Sequence, residues 1–204
     1  MRRKGTLIAI EGLDGSGKTT ISKAIVKWLS NIGLDAMYTA EPSTSPIGEL
    51  IRSKIILGEF RKDARIEALL FAADRLWHVL YEIKPLLEKG KIVVTDRYYF
   101  SSIAYQGALG IDLEWIKILN RFVVKPDLAI YIDVTPEEAL ARKKKEGLKI
   151  LFENLEYLRR VRQLYLDMVK DGELRLVNGM KRLEEVLNDV KSIIGNLLFK
   201  GRTS

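Results

Sequence analysis

The stretch Gly12–Thr19 combines closely spaced glycines with a lysine and a hydroxyl residue, in the order Gly-Leu-Asp-Gly-Ser-Gly-Lys-Thr. Glycines let a backbone turn sharply and bring its N–H groups close to phosphate oxygens. Lys18 has the charge to reach the terminal phosphates of a nucleotide, and Thr19 has a hydroxyl that can bind Mg²⁺. The pattern is that of a P-loop. It predicts a nucleoside triphosphate site formed by Gly12, Leu13, Asp14, Gly15, Ser16, Gly17, Lys18, Thr19 and Thr20.

The surroundings of this loop separate it from a glycine turn that matches by chance. The apolar run Leu7–Ile10 before it predicts a strand. After it, Ile21, Ile25 and Leu29 recur at helical spacing, which predicts a helix. Strand, glycine loop and helix follow one another in the order that phosphate binding requires.

A second group with suitable chemistry is the Asp96-Arg97 pair, which ends the apolar run Ile92–Thr95. An acid at the end of a strand beside the P-loop strand is placed to hold Mg²⁺. The planar guanidinium of Arg97 suits a phosphate. The alternative is a structural ion pair at a strand end, and the P-loop in the same chain favours the functional interpretation.

These residues need a sheet to position them, and five apolar runs predict its strands: Leu7–Ile10, Ala36–Thr39, Ile92–Thr95, Leu128–Val134 and Leu174–Val177. The runs are continuously apolar, as in parallel strands that are covered on both faces. Helical segments separate them. We therefore predict an α/β fold, a three-layer α/β/α sandwich with a five-stranded parallel sheet of the P-loop NTPase type, and a single domain over residues 1–204.

Several signals predict helix boundaries. Gly33 stands where the first helix should end. Thr135-Pro136-Glu137-Glu138 has the form of a capping box. Residues 63–89 have a helical pattern that Pro85 should kink near its end, and the apolar positions of residues 183–197 predict a last helix.

Composition excludes some classes of protein. The 204 residues contain no cysteine, which excludes disulfides and fits a reducing cytoplasm. No run is apolar and long enough for a signal peptide or a membrane span, so we expect no membrane. The net charge of +7 allows a nucleic-acid partner, but phosphate ligands also need cations and no nucleic-acid-binding motif is present. We expect no nucleic-acid partner.

Further motifs carry a resemblance to a known family. The chain is similar to the thymidylate kinases, P-loop nucleoside monophosphate kinases that make dTDP from dTMP. The motifs are Glu11–Thr19, Glu41-Pro42, Leu70–Arg75, Asp96–Ser101, Ala104–Gly107, Lys125–Leu128 and Tyr131–Val134, in the family's order. The resemblance implies a cytoplasmic homodimer that uses ATP and dTMP, with Thr19 and Asp96 at the Mg²⁺ and Lys18 and Arg97 as catalytic residues.

The resemblance also implies a dTMP site. Phe71 resembles the residue that stacks on thymine, and Arg75 lies on the same helical face, where it can donate to the thymine O4. An arginine there disfavours cytosine, whose exocyclic amine is a donor. The other positions that resemble dTMP-binding residues are Asp14, Glu41, Arg97, Ser102, Tyr105 and Glu153.

A lid over about residues 142–153 is implied as well, because a run of cations follows the capping box. Arg142 resembles an arginine near the adenine of ATP. The lid is rich in lysine where the family has arginine, and Leu151 stands near one such position; Lys144 is our choice for the catalytic cation. Ala40 and Ser43 flank Glu41-Pro42 where the family usually has an arginine, so Arg52 is the candidate substitute.

Alternative functions remain at this point. Within the kinases, the alternatives to a dTMP kinase are a dUMP kinase and a nucleoside kinase, although Phe71, Arg75 and Glu41-Pro42 argue against a nucleoside kinase. A GTPase would need an Asn-Lys-x-Asp guanine-binding motif, which is absent. An ATP-dependent nucleic-acid-binding protein would show salt-sensitive binding to DNA or RNA.

Overall fold

Five parallel strands form one sheet in the order β2-β3-β1-β4-β5. The structure is a computed structural model that describes residues 5–55, 63–145 and 154–199. The strands are β1 (Thr6–Gly12), β2 (Ala36–Ala40), β3 (Ile92–Asp96), β4 (Leu128–Asp133) and β5 (Arg175–Asn178). All five predicted strands are confirmed, with ends that differ by one or two residues.

The central strand β1 is the most buried part of the sheet. Residues 7–10 have no solvent exposure. In the parallel register, Ile10 pairs with Asp96 of β3, and Gly12 pairs with Ile132 of β4. The carboxyl ends of these three strands therefore meet at one edge, where ligands bind in open parallel sheets.

Helices connect the strands, which gives the three-layer arrangement predicted from the sequence. They are α1 (Lys18–Asn31), α2 (Pro46–Leu50), α3 (Ala64–His78), α4 (Lys84–Glu88), α5 (Tyr99–Ala108), α6 (Leu113–Leu119), α7 (Pro136–Lys145), α8 (Leu155–Lys170) and α9 (Leu183–Phe199). A π-helical turn, Ile51–Ile55, continues α2. Helices α1 and α9 pack together and against the sheet, while α5 packs against both α3 and α8. Among the described helices, none is long and apolar enough to cross a bilayer.

The boundary signals hold in the structure. Gly33 follows α1 with a φ of 79° and donates to the carbonyl of Ser30 at 3.0 Å. The Thr135 hydroxyl accepts the Glu138 N–H at 3.4 Å at the start of α7. The helix predicted over residues 63–89 changes form near its proline, because a π-helical turn, Val79–Ile83, separates α3 from α4. Pro85 lacks the N–H of a regular helix and its ring clashes with the preceding turn, so the wider turn accommodates it.

Candidate functional site

The P-loop lies between β1 and α1 at the carboxyl edge of the sheet. Gly15 and Gly17 have φ values of 86° and 87°, in the left-handed region that strains other residues. A Cβ atom at Gly15 would lie 2.3 Å from the carbonyl oxygen of Ala139, so α7 packs directly on the loop. Gly17 is the N-cap of α1, so the positive end of the dipole of this helix faces the loop. The loop is therefore shaped to receive an anion.

Lys18 is almost fully buried beneath this loop. Its ammonium donates to the Leu13 carbonyl at 2.7 Å, and no ion pair is made by Lys18 within the described part of the chain. Burial, together with the charge of Arg97, lowers the pKa of Lys18 to about 8, although Asp96 and Asp14 raise it. An anionic ligand would add the negative charge that this lysine lacks.

Thr19 and Asp96 meet as the sequence predicted for a metal site. The Thr19 hydroxyl donates to Asp96 Oδ2. The other carboxylate oxygen, Asp96 Oδ1, is buried without a hydrogen-bond partner among the described residues, and Ser16 Oγ is a second such atom. Buried polar atoms are rarely left unpaired. These hard oxygen ligands fit Mg²⁺, which binds proteins through one or two side chains and keeps water and phosphate as its other ligands.

Arg97 links the P-loop to α5 through an unusual backbone conformation. Its φ is 74°, and its N–H donates to the Ile10 carbonyl at 3.0 Å. Its guanidinium forms an ion pair with Asp14 and donates to Ser101 Oγ at 3.0 Å. It also lies 4.9 Å from the ring centre of Tyr105. The guanidinium is thus fixed beside the loop, where it can meet a second phosphate.

Asp14 is surrounded by three positively charged side chains. Burial alone would raise the pKa of Asp14, but Arg97, Lys18 and Lys143 together lower it below its ordinary value. The Tyr105 hydroxyl accepts the Asp14 backbone N–H at 3.2 Å, and burial raises the pKa of Tyr105 to about 12. Asp14 therefore stays ionised between the loop and the side chains predicted for the acceptor.

Glu11 precedes the loop and is completely buried. One carboxylate oxygen accepts the Tyr98 N–H at 2.7 Å, and the other accepts the hydroxyls of Ser101 at 2.6 Å and Tyr165 at 2.9 Å. Burial is the largest effect on this group and raises its pKa to about 7, although these donors and Arg97 lower it. Tyr98 follows Arg97 directly, and the Ser101 hydroxyl accepts a hydrogen bond from the Arg97 guanidinium. Because Glu11 binds both Tyr98 and Ser101, it supports the position of Arg97.

Arg75 lies on α3 and is also buried. Its Nε donates to Glu41 at 2.7 Å. Its Nη1 donates to Ser102 Oγ at 3.1 Å and to Asn120 Oδ1 at 2.6 Å. Three predicted site residues, Arg75, Glu41 and Ser102, are therefore in direct contact. Phe71 lies one turn earlier on α3 and is half-buried.

The segment after Glu41 forms a turn with a cis Glu41-Pro42 peptide bond. Ser43 donates its N–H and hydroxyl to Asp74 at 2.7 and 2.6 Å. Arg52 reaches back and donates to the carbonyls of Pro42 at 2.9 Å and Ser43 at 2.6 Å. Arg52 therefore lies beside the Glu41-Pro42 turn, with its guanidinium bonded to two carbonyls of that segment.

The first part of the predicted lid is the end of α7. Arg142 donates to Glu138 at 2.8 Å and to the Gly179 carbonyl at 3.1 Å. Lys143 reaches Asp14 at 3.4 Å, whereas Lys144 is exposed. The structure therefore brings Lys143, and not the chosen Lys144, to the P-loop. Leu151 and Glu153 lie outside the described residues, as do residues 146–152 of the lid.

Sequence reasoning gave no role to Glu11, Lys143 or Asn120. Glu11 belongs to one of the motifs that carry the resemblance. Its role depends on a bond to Tyr165, which is 154 positions away in the sequence, so no local pattern indicates it. Asn120 meets Arg75 from the position directly after α6, which is 45 residues away in the sequence. Lys143 belongs to the run of cations after the capping box. Which cation of this run contacts the P-loop depends on which face of α7 packs against Gly15.

The chain is similar in sequence to known proteins over most of its length. A sequence model of the family described as "Thymidylate kinase" matches residues 10–190. A Pyrococcus abyssi protein named "Probable thymidylate kinase" is 43% identical over 197 residues, which are 94% of this chain and 96% of the relative. A protein of the same name from Thermococcus kodakarensis is 42% identical, over 94% of this chain and 98% of the relative. Another from Pyrobaculum aerophilum is 43% identical, over 92% of this chain and 95% of the relative.

Proposed function

The chain belongs to the thymidylate kinase family, and we infer that it is a phosphotransferase that moves the γ-phosphoryl group of ATP to dTMP, giving dTDP and ADP. The observation that carries the inference is the ion pair between Asp14 and Arg97. Asp14 belongs to the P-loop, so the site for the phosphoryl donor and the residue for the acceptor phosphate adjoin. The alternatives of a shifted acceptor and a nucleic-acid-binding protein have no support among these observations.

In the proposed reaction, a phosphate oxygen of dTMP bonds to the γ-phosphorus as the bond from that phosphorus to the β-phosphate oxygen breaks. Such transfers depend on positioning and on charge stabilisation. Lys18 neutralises charge on the transferred group, and Arg97 holds the acceptor phosphate. We propose Lys143 as the lid cation in place of Lys144, because its ammonium already lies beside Asp14.

We propose that Thr19 and Asp96 hold Mg²⁺. Support comes from the buried, unpaired Asp96 Oδ1 beside the Thr19 hydroxyl. The ion would neutralise charge on the phosphates of ATP. The other proposed ATP contacts are residues 12–20 and Arg142, whose bond to the Gly179 carbonyl puts it next to the segment after β5.

The proposed dTMP site runs from Asp14 and Arg97 to Phe71 and Arg75. Tyr105 and Ser102 line the space between these ends, since each is bonded to one of the two arginines. Glu41, Arg52 and Glu153 complete the proposed set, with Glu41 acting through its bond to Arg75.

At the level of the whole chain, we propose a single kinase domain over residues 1–204 with a lid over about residues 142–153. We also propose a cytoplasmic homodimer without nucleic-acid or membrane partners. An apolar stripe on α3 and the turn after it supports the dimer: Ile66, Leu69 and Leu80 each leave close to half of their surface exposed.

The test is the rate of ADP formation from ATP and Mg²⁺ with a panel of acceptors: dTMP, dUMP, ribothymidine monophosphate, dCMP, dGMP and AMP. The inference predicts that dTMP gives the highest kcat/KM. A clear preference for another acceptor would overturn the assignment of substrate. Stimulation of ADP release by single-stranded DNA, with none by dTMP, would overturn the kinase function itself.

A further inference from the structure

Arg75 has a guanidinium whose hydrogen bonds can be counted. The group has five N–H donors. Glu41 takes the one on Nε, and Ser102 and Asn120 take the two on Nη1. Within the described residues, no hydrogen bond uses the two donors on Nη2. One side of the guanidinium is therefore fixed by the protein, and the Nη2 side remains for a ligand.

Asn120 is itself held in one orientation. It follows α6 directly and is buried. Its side-chain amide donates to the carbonyl of Ile116 at 2.8 Å, which leaves its oxygen directed at Arg75. The resulting bond to Nη1, at 2.6 Å, is shorter than the bond from Nη1 to Ser102, at 3.1 Å. Asn120 is thus the closer of the two acceptors on Nη1.

We propose that Asn120 is a positioning residue that sets the direction of the Arg75 guanidinium and thereby the selectivity for the acceptor base. This inference rests on the proposed function, since it requires Arg75 to face the base of dTMP. Asn120 does not touch the substrate in this account. It acts only through Arg75.

The guanidinium group is planar. Bonds on Nε and Nη1 together fix both the position and the plane of the group, so the direction of the Nη2 donors is fixed as well. A donor pair in a fixed direction favours a carbonyl oxygen, as in thymine, and opposes the amino group of cytosine. If the Asn120 bond is lost, Nη1 keeps the longer bond to Ser102, at 3.1 Å, as its remaining anchor among the described residues. The guanidinium then has more freedom to rotate about the Glu41 bond, and the discrimination between the two bases weakens.

The experiment compares Asn120→Leu and Asn120→Asp with the unchanged protein. The leucine has a similar size but no acceptor, whereas the aspartate keeps an oxygen toward Arg75. For Asn120→Leu we expect KM for dTMP to rise about tenfold and the ratio of kcat/KM for dTMP over dCMP to fall about tenfold, with KM for ATP unchanged. Asn120→Asp should keep most of the selectivity. The dTMP-dependent rise in Tm reports binding without turnover.

A double-mutant comparison separates this role from a structural one. In an Arg75→Lys background, which lacks Nη1, Asn120→Leu should change the selectivity ratio less than twofold further. Equal losses for all acceptors, an unchanged ratio in Asn120→Leu, or a full additional loss in the Arg75→Lys background would each overturn the inference. If Asn120→Leu does not fold, Asn120→Asp decides alone, because loss of its selectivity would contradict the role of the acceptor oxygen.

Failure of the proposed function and failure of the role of Asn120 give different experimental results. If the unchanged protein neither binds nor phosphorylates dTMP better than dCMP, the proposed function fails and the role of Asn120 fails with it. If the unchanged protein selects dTMP and Asn120→Leu selects it equally well, only the role of Asn120 fails.

Discussion

Glu11 is a carboxyl group without solvent contact in the centre of the molecule. Burial raises its pKa from 4.5 to about 7. The folded protein therefore binds a proton that the unfolded chain has released between these pH values. The stabilisation from this group is fully present below about pH 4.5 and is lost as the pH rises to about 7.

Glu11→Gln should remove this pH dependence. Between pH 5 and pH 8, the free energy of unfolding of the unchanged protein should fall by about 2–3 kcal/mol relative to the Gln variant. Urea denaturation of both proteins at several pH values measures the difference, in which the effects of the other titrating groups cancel. Parallel pH profiles for the two proteins would show that Glu11 does not titrate in this range.

Lys143 and Lys144 are neighbours with different surroundings, which makes them a matched pair. Lys143 lies 3.4 Å from Asp14, and Lys144 is exposed. Loss of one cation that stabilises the transferred group should lower kcat on the order of tenfold to a hundredfold. We expect this loss for Lys143→Ala and less than a twofold change for Lys144→Ala, measured as kcat with saturating ATP and dTMP. The reverse order would return the catalytic role to Lys144.

The position of Lys143 depends on how closely α7 packs against the P-loop. Gly15→Ala would place a methyl group 2.3 Å from the Ala139 carbonyl, so α7 and the loop would have to separate. Lys143 would move away from Asp14 as a result. We expect kcat to fall by about tenfold or more, because the lid cation is displaced.

Gly33→Ala is the control for this change. Gly33 has a similar φ of 79°, but an added Cβ would have no atom within 4 Å. Both variants should lose about 1–2 kcal/mol of stability from the left-handed conformation. Only Gly15→Ala should lose activity. An active Gly15→Ala enzyme would contradict the role assigned to this contact.

The elements were largely predictable because their signals are local. Apolar runs predicted the strands, and Gly33, Thr135 and Pro85 marked boundaries that the structure confirms. The contacts within the site were less predictable, because they join distant segments. Arg75 meets Asn120 across 45 residues, and Glu11 meets Tyr165 across 154. The left-handed φ of Arg97 also has no local signal, since the sequence has no glycine at this position.

At the scale of the molecule, the apolar stripe on α3 has a consequence for assembly. Leu69 is 48% exposed in the middle of this stripe, between Ile66 and Ala73 on the same helical face. In the proposed homodimer, Leu69→Glu would bury a charge without a partner, which is strongly unfavourable. We expect Leu69→Glu to have the mass of one 23.3 kDa chain by light scattering, and the unchanged protein to have twice that mass.

A matched variant on another surface completes this test. Ile118 of α6 is 55% exposed and lies outside the stripe. Ile118→Glu should therefore leave the dimer intact. A monomeric unchanged protein, or a dimeric Leu69→Glu variant, would contradict an interface on α3.

The transfer of a phosphoryl group from ATP to dTMP is the reaction that we infer for this protein. The most direct test is the fate of the γ-phosphoryl group, followed with ³²P-labelled ATP and Mg²⁺ in the presence of dTMP. The account predicts that the label appears in dTDP, with one dTDP for each ADP, and that Lys18→Ala remains folded but slows this transfer by roughly a hundredfold or more. Label released as inorganic phosphate, or unchanged transfer by Lys18→Ala, would contradict it.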